Sequence, residues 1–173
     1  DAGASTRTLS LRPVGHSGFA FEPGQFAWLT TGGSPFSHEQ HPLSIASSVA
    51  SRAELEFAIK ALGDWSTGVV PHLPIGSRVW VDGPFGAFTP DRRAVPGLVL
   101  IAGGIGIAPM RSIVHTLADR RDPRPVVLFH AAHDETRVAF RDEMEALRSR
   151  RSQGTLDLIY VLEEPATDRP AER

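Results

Sequence analysis

The chain has 173 residues, of which 41% are hydrophobic and 22% are charged, and its formal net charge is -2. Such a composition is typical of a globular protein with one large or two small domains, and it excludes the clustered basic excess of a nucleic-acid-binding surface. The sequence contains no cysteine, which excludes disulfides, thiolate catalysis and cysteine-ligated iron–sulfur clusters, so small molecules are the favoured partners.

The start of the chain contains no targeting signal. The opening stretch DAGASTRTLS lacks the charged and apolar segments of a signal peptide. No apolar run in the sequence reaches the roughly 18 to 20 residues that a membrane span needs. Because the chain begins with Asp1 and not with Met, we expect it to be a fragment of a longer protein.

Short strands separated by turn residues are predicted for the first half of the chain. In ELEFAIKAL, the residues Leu55, Phe57 and Ile59 recur at every second position, which is the pattern of a strand with one buried face. Similar runs occur in TLSLR, QFAWLTT, PLSIASS and SRVWVDG. The pattern predicts an antiparallel β-barrel or sandwich with one short helix, which we assign to residues 1–91.

Strands and helices alternate in the second half, residues 92–173. The strand-length apolar runs are GLVLIA, PVVLFHAA and LDLIYVL. Between the first two, one helical face is formed by Met110, Ile113, Val114, Leu117 and Ala118. Between the last two, VAFRDEMEALRSR predicts a second helix with Phe140, Met144 and Leu147 on one face. This alternation predicts an α/β domain with parallel strands and right-handed crossovers. Three such strands are half of a doubly wound nucleotide-binding sheet, so we expect the domain to be incomplete at its C-terminus.

A glycine-rich turn, residues 103–109, joins the first of these strands to its helix. Gly103, Gly104 and Gly106 leave the backbone bare there, and Pro109 suits the first turn of a helix. The functional hypothesis is that a dinucleotide diphosphate binds to the bare amides at the start of the helix. The alternative is a tight turn that needs glycine only for its dihedral angles and its packing.

A second possible phosphate site is the 60–67 loop. Gly63 permits a sharp turn, and Ser66 or Thr67 can cap a short helix, which would leave amides beside the positive Lys60. The alternative is a capped helix that binds nothing. Two sites of this kind in one chain suggest two nucleotides.

Four motifs, HPLSIASS, IKALGDWST, VDGPFGAF and AGGIGIAP, have the order and spacing found in a known family. They resemble those of the ferredoxin–NADP reductase superfamily, most closely its ferric reductase and NADPH oxidase dehydrogenase branch. The resemblance extends over about residues 8–161. It implies an antiparallel six-stranded Greek-key β-barrel that binds FAD, followed by the NAD(P)-binding α/β domain.

The resemblance also implies roles for the flavin segment, residues 41–44. His41 would approach the FAD phosphates, Leu43 would pack on the isoalloxazine ring, and the Ser44 hydroxyl would lie near flavin N5. An aromatic residue is usual in place of Leu43, which predicts weaker stacking on the ring. Ser44 is the one side chain assigned to the reacting centre. The other implied flavin contacts are Pro42, Ile45 and Ser47, and, for the FAD diphosphate, Lys60, Gly63, Ser66 and Thr67.

By the same resemblance, the glycine-rich turn would hold the diphosphate of NAD(P)H. The choice of coenzyme stays open. Asp134 or Glu135 could bind the ribose hydroxyls of NAD, Arg137 could bind the extra phosphate of NADP, and all three could be a solvated helix start. Arg111 has two interpretations as well, a diphosphate ligand or a surface residue.

Metal and hydrolytic chemistry are not favoured. His130 and His133 have no third ligand beside them in the sequence, so no metal site is predicted. Ser44 does not lie in a G-x-S-x-G elbow and has no evident triad partners.

The sequence therefore predicts a flavin-dependent oxidoreductase. Hydride would pass from NAD(P)H to FAD, and single electrons would then pass to ferric iron, a haem or a redox protein. The alternative is a truncated flavin- or nucleotide-binding module without turnover that serves a docking or regulatory role. We expect a cytoplasmic location; with an upstream membrane haem domain in the full-length gene, the chain would be the cytoplasmic arm of a membrane protein.

Overall fold

A computed structural model of the chain describes residues 5–51 and 53–164. The strands are β1 (Thr6–Leu11), β2 (Phe26–Thr31), β3 (His41–Ser44), β4 (Leu55–Lys60), β5 (Val79–Phe85), β6 (Leu98–Gly103), β7 (Val126–Ala132) and β8 (Leu156–Leu162). The helices are α1 (Ile107–Asp119) and α2 (Arg141–Arg150), with short helical turns at Trp65–Val69, Val70–His72, Pro90–Arg92, Gly104–Gly106 and Glu135–Arg137. In the part of the chain that the structure describes, no helix has the length and apolar character of a membrane span.

The first half is β-rich, as predicted. Strand β1 pairs antiparallel with β4, and β2 lies between β3 and β5 in a second antiparallel sheet. A bridge between Ile45 and Phe57 links the two sheets. Both side chains are fully buried with Ala27 and Leu29, and these four residues form the centre of the core. Residues 5–51 and 53–91 thus contain five strands in two sheets, and the sixth strand of the implied barrel is not among them.

The second half contains a parallel sheet with helices, which confirms the α/β prediction. The strand order is β6-β7-β8, so each strand pairs with its neighbour in the chain. Two right-handed crossovers in the same direction put both helices on one face of the sheet. Accordingly, α1 and α2 share one core with the covered face. The predicted apolar stripe of α1 contributes Met110, Ile113, Val114 and Leu117 to that core.

Helix α2 begins later than the sequence pattern indicates. Phe140, expected on its apolar face, precedes the helix in the left-handed conformation, with a φ of 60°. Its ring is nevertheless buried in the same core as Met144 and Leu147. The apolar period therefore marks the buried residues correctly, whereas the left-handed backbone at Phe140 sets the boundary of the helix.

A polar stripe on α1 connects the two halves of the molecule. The Ser112 hydroxyl donates to the Ser47 carbonyl at 2.7 Å, and the Thr116 hydroxyl accepts from the Val49 amide at 3.2 Å. The Ser48 hydroxyl also donates to Asp119 at the end of the helix, at 2.6 Å. Because Ser112 and Thr116 are fully buried, these hydrogen bonds fix α1 against the segment that follows β3.

Candidate functional site

The glycine-rich turn lies between β6 and α1, at the carboxyl edge of the parallel sheet. Strand β6 ends at Gly103, the turn Gly104–Gly106 follows, and α1 starts at Ile107. Pro109 is the third residue of α1, where its missing N–H would have no intrahelical acceptor. No side chain of the described residues caps α1 at Gly106. The Ile107 amide donates to the carbonyl oxygens of Gly104 and Ile105, so the start of α1 is hydrogen-bonded to the turn. It lies at the edge where α/β folds bind ligands.

The three glycines of this turn have different physical reasons. Gly104 has a φ of +50°, which disfavours any residue with a side chain. Gly103 and Gly106 have ordinary φ values of -111° and -58°. A Cβ atom at either position would meet nothing within 4 Å among the described residues. The tight-turn alternative accounts for Gly104 only. At Gly103 and Gly106 the structure shows open space and no conformational need for glycine.

His130 supports this turn from below. Its side chain is 1% exposed, and its Nε2 lies 3.3 Å from the carbonyl oxygen of Gly104. Burial lowers the pKa of His130, and the hydrogen bond to Gly104 opposes that shift in part. The ring is therefore neutral near pH 7, and its N–H donates to the Gly104 carbonyl and holds that residue in place.

Lys60 brings the two predicted phosphate sites together. It is the last residue of β4, and its Nζ lies 3.7 Å from the position of a Cβ built on Gly104. The ammonium group is therefore beside the glycine-rich turn as well as at the start of the 60–67 loop. An anion bound at either segment would be within reach of its charge.

The flavin segment is strand β3, which pairs with β2. The His41 ring stacks on Trp65, with 3.9 Å between ring centroids and 17° between planes. Burial lowers the pKa of His41, and the charge of Glu39 opposes part of that shift. The Nε2 atom is buried and has no hydrogen-bond partner within residues 5–51 and 53–164. The Oε1 atom of Glu39 lies 3.9 Å from it. His41 is thus a neutral group with one polar atom that no hydrogen bond satisfies.

The other residues assigned to the flavin differ in exposure. Pro42 is exposed, Leu43 and Ser44 are half-buried, and Ile45 and Ser47 are buried. Leu43 packs against the buried side chains of both β sheets. The Ser47 hydroxyl accepts from the Glu56 amide at 3.2 Å, so it supports the backbone of this segment.

Hydrogen bonds inside the 60–67 loop engage its hydroxyl groups. The Ser66 hydroxyl accepts from the amides of Leu62 and Gly63, both at 2.9 Å. The Ser66 and Thr67 hydroxyls donate to the Gly63 carbonyl at 2.9 and 2.8 Å. Ser66 and Thr67 both lie within the five-residue turn Trp65–Val69. Their hydroxyls therefore stabilise the loop and do not act as N-caps.

Comparison with known proteins identifies both halves. An FAD-binding domain family matches residues 5–89, and an oxidoreductase NAD-binding domain family matches residues 100–173. The chain is also similar to a crystallised cytochrome P450 reductase from Amycolatopsis, with 27% identity and a TM-score of 0.80 over 100% of this chain and 51% of that one. The chain belongs to the ferredoxin–NADP reductase superfamily. Its cofactors are FAD and a nicotinamide dinucleotide.

The curated relatives that the chain matches are longer than the chain itself. The propane 2-monooxygenase reductase component of Mycolicibacterium smegmatis is 30% identical over 156 residues, which are 89% of this chain and 43% of the relative. Methane monooxygenase component C of Methylosinus trichosporium is 32% identical over 129 residues, 73% of this chain and 37% of the relative. The chain therefore spans less than half the length of these two relatives.

The residues of the chain fit both cofactors. The unpartnered Nε2 of His41 and the ammonium of Lys60 are donors suited to a diphosphate. The open positions at Gly103 and Gly106 allow a second diphosphate to approach the backbone. Within the described residues there is no group of three side chains that could hold a metal ion.

Arg111 has neither of the roles considered from the sequence. Its side chain is 11% exposed and forms ion pairs with Glu56 at 2.7 Å and with Glu143 at 2.9 Å. It is therefore a largely buried link between the two halves, and neither a surface residue nor a free diphosphate ligand. No local pattern in the sequence marks this role, because both partners are distant from Arg111 along the chain.

The residues after β7 do not decide between NAD and NADP. Asp134 accepts from the amides of Thr136 and Arg137 at 2.9 and 3.2 Å and caps the turn Glu135–Arg137. The hydrogen bond from the Thr136 side chain, chiefly, lowers the pKa of Asp134. Arg137 pairs with Asp134 at 3.2 Å and is half exposed. The carboxylate has a local structural role, and the guanidinium is reachable by a ligand.

Proposed function

We propose that this chain is the cofactor-binding part of an NAD(P)H-dependent flavoprotein reductase that delivers single electrons to an iron centre, a haem or a redox protein. The observation that carries the proposal is the bare backbone at Gly103 and Gly106, beside the Lys60 ammonium and at the start of α1. The chemistry supplied by the bound cofactors is hydride transfer from nicotinamide to flavin followed by release of single electrons.

The chain's own residues bind and orient the cofactors. Amides of the glycine-rich turn and the first turn of α1 hold the nicotinamide dinucleotide, and Arg137 contacts its adenosine end. The other proposed ligands, those of FAD, are His41, Pro42, Leu43, Ser44, Ile45, Ser47, Lys60, Gly63, Ser66 and Thr67. Ser44 is proposed at the reacting centre, where its half-buried hydroxyl can donate a hydrogen bond to the ring. Neutral His41 donates a hydrogen bond to a phosphate oxygen and carries no charge.

The finer features of the sequence interpretation stay predictions. The division at residues 91 and 92 is supported by the two family matches, 5–89 and 100–173. The closed six-stranded barrel, the continuation of the α/β domain and the ferric reductase branch are proposed on the resemblance alone. The same is true of the cytoplasmic location and of an upstream haem domain. Two relatives are named as components of monooxygenases, which supports a redox protein as the acceptor here.

The test is flavin uptake followed by anaerobic reduction. The purified chain is incubated with FAD, desalted, and mixed with NADPH or NADH in the absence of oxygen. We expect the desalted chain to retain flavin absorbance. We also expect NADPH or NADH to bleach this absorbance after mixing. Free FAD passed through the same column is the control for removal of unbound flavin.

Two other results are informative. A chain that retains no FAD contradicts the reductase proposal. If the chain retains FAD and neither coenzyme bleaches the bound flavin, the result favours the alternative of a binding module without turnover.

A further inference from the structure

We propose that Arg111 is a positioning residue that fixes the glycine-rich turn relative to the flavin segment. The inference rests on the function proposed above, because it gives a purpose to the distance between two cofactor-binding segments. Arg111 lies five residues after Gly106 on α1, and one of its contacts, Ala46, lies two residues after Ser44. A single side chain thus connects elements that adjoin both segments.

The contacts of Arg111 reach both halves of the molecule. Its Nη1 donates to the Ala46 carbonyl at 2.9 Å and to the Glu56 carboxylate at 2.7 Å, both in the β-rich half. Its Nε donates to both oxygens of Glu143 at 2.9 and 3.1 Å, at the start of α2. The guanidinium also lies over the Phe140 ring, 4.9 Å from its centroid.

Burial strengthens the hydrogen bonds of Arg111. A guanidinium that is 11% exposed is shielded from solvent, so its hydrogen bonds are stronger than those of a surface pair. Burial raises the pKa of Glu143, but contacts with His115 and the Arg111 charge outweigh it, and the pKa is below its ordinary value. The carboxylate is therefore ionised near pH 7 and keeps Arg111 oriented.

A lysine could not reproduce this geometry. The planar guanidinium meets acceptors on two sides at once, whereas an ammonium is a point charge at the end of a flexible stem. The other hydrogen bonds of α1 to the β-rich half each join one pair of groups: Ser112 with the Ser47 carbonyl, Thr116 with the Val49 amide, and Asp119 with Ser48. Asp91 also pairs with Arg120 and Arg124, beyond the end of α1. Arg111 differs from these in binding three acceptor groups at once, beside both cofactor-binding segments, so its loss should loosen their relative position.

The test measures the distance between the halves without any cofactor. Because the chain has no cysteine, Asp82→Cys on β5 and Asp157→Cys on β8 provide two unique, exposed positions for spin labels. Double electron–electron resonance then gives the distance distribution between them. In Arg111→Met we expect about a twofold broader distribution, because the variant loses the hydrogen bonds to Ala46, Glu56 and Glu143 that join the halves.

The matched control is Arg148→Met. Arg148 is an exposed arginine on α2 that pairs with Glu145 at 2.8 Å, so the control removes the same charge and one ion pair. Its distribution should equal that of the labelled parent chain. Arg111→Lys, which keeps the charge, should give an intermediate width, and circular dichroism verifies that each variant is folded. An unchanged distribution in folded Arg111→Met overturns the proposal; if that variant unfolds, an unchanged distribution in folded Arg111→Lys overturns it.

The functional readout separates positioning from binding. In Arg111→Lys we expect FAD retention and coenzyme affinity to change less than about twofold, while the rate of flavin bleaching falls by on the order of 100-fold, as for a misplacement of about 1 Å. Equal losses in affinity and rate would overturn the positioning role. If the parent chain retains no flavin, the proposed function fails, and the distance measurement still decides whether Arg111 fixes the two halves.

Discussion

At the scale of single residues, the glycines of the glycine-rich turn differ in why glycine is present. One has a backbone conformation that favours glycine, and another leaves open space that a ligand could occupy. Gly104 requires glycine for its backbone, with a φ of +50°, and it rests on buried His130. Gly106 has an ordinary backbone conformation and open space where a side chain would be. Substitutions at the two positions should therefore affect different properties.

Gly106→Ala should weaken coenzyme binding and leave the fold intact. We expect the free energy of unfolding to change by less than about 1 kcal/mol, because alanine fits the backbone conformation. The affinity for NADP⁺ or NAD⁺ should fall roughly tenfold, about 1.4 kcal/mol, because the added methyl occupies the cradle. Calorimetric titration measures the affinity. The control, Gly104→Ala, should lower stability by about 1–2 kcal/mol through its left-handed backbone. An unchanged affinity in Gly106→Ala would support the tight-turn alternative.

His130 should make stability depend on pH. Its pKa is lowered by burial from the ordinary value of 6.5, so its contribution is complete above about pH 6.5 and is lost as the pH falls through the lowered value. Between pH 7 and 5, the free energy of unfolding should fall more steeply in the parent chain than in His130→Gln. Urea denaturation across that range measures both slopes. His41, whose pKa is also lowered, titrates in both proteins, so parallel curves would contradict the prediction for His130.

At the scale of elements, the 60–67 loop is organised by its own hydroxyl groups. Ser66 accepts from the two amides that precede the turn Trp65–Val69, and Trp65 donates from its indole to Thr31 at 3.0 Å. The loop is therefore anchored on one side by an aromatic residue and closed on itself by a serine. It keeps Lys60 and its neighbours in a defined position at the end of β4.

Ser66→Ala should loosen this loop and weaken flavin binding. We expect a stability loss of less than about 1 kcal/mol, because water can replace the hydroxyl at exposed amides. FAD affinity should fall roughly tenfold, since the free loop must be ordered on binding. Fluorescence titration of FAD measures the change. Ser77→Ala removes a hydroxyl that donates to the Pro74 carbonyl at 2.6 Å, in another loop, and should leave FAD affinity unchanged.

The elements themselves were largely predictable, because their signals are local. Period-two alternation marks β4, and helical spacing marks the buried stripe of α1, since both depend on neighbours within a few residues. Strand β3 is shorter than the apolar run PLSIASS suggests, because the chain leaves the sheet after Ser44 and bonds to β4 and α1 instead. That exit depends on contacts distant in sequence, so no local pattern contains it.

The supporting residues of the site were not predictable for the same reason. Arg111 contacts Ala46 across 65 positions of sequence, and His130 contacts Gly104 across 26. The sequence located the glycine-rich turn and the flavin segment by composition and resemblance. What holds them in place is a matter of tertiary packing, which composition does not encode.

At the scale of the whole molecule, one face of the parallel sheet is covered and the other is open. Both helices pack on the covered face, while Val99 and Ile101 of β6 are 66% and 72% exposed on the other. A cavity of about 380 Å³ lies at the β6 edge of the parallel sheet, between β6, α1 and Phe88. The lining of this cavity contains no charged residue, so we assign neither diphosphate to it.

The proposed function requires that the chain bind two dinucleotides at two separate sites. Equilibrium titration of NADP⁺ or NAD⁺ into the chain, first alone and then after saturation with FAD, tests this requirement. We expect one coenzyme and one FAD bound per chain, each without displacing the other, and a coenzyme affinity that FAD does not reduce. Competition between FAD and the coenzyme for a single site would contradict the two-site arrangement.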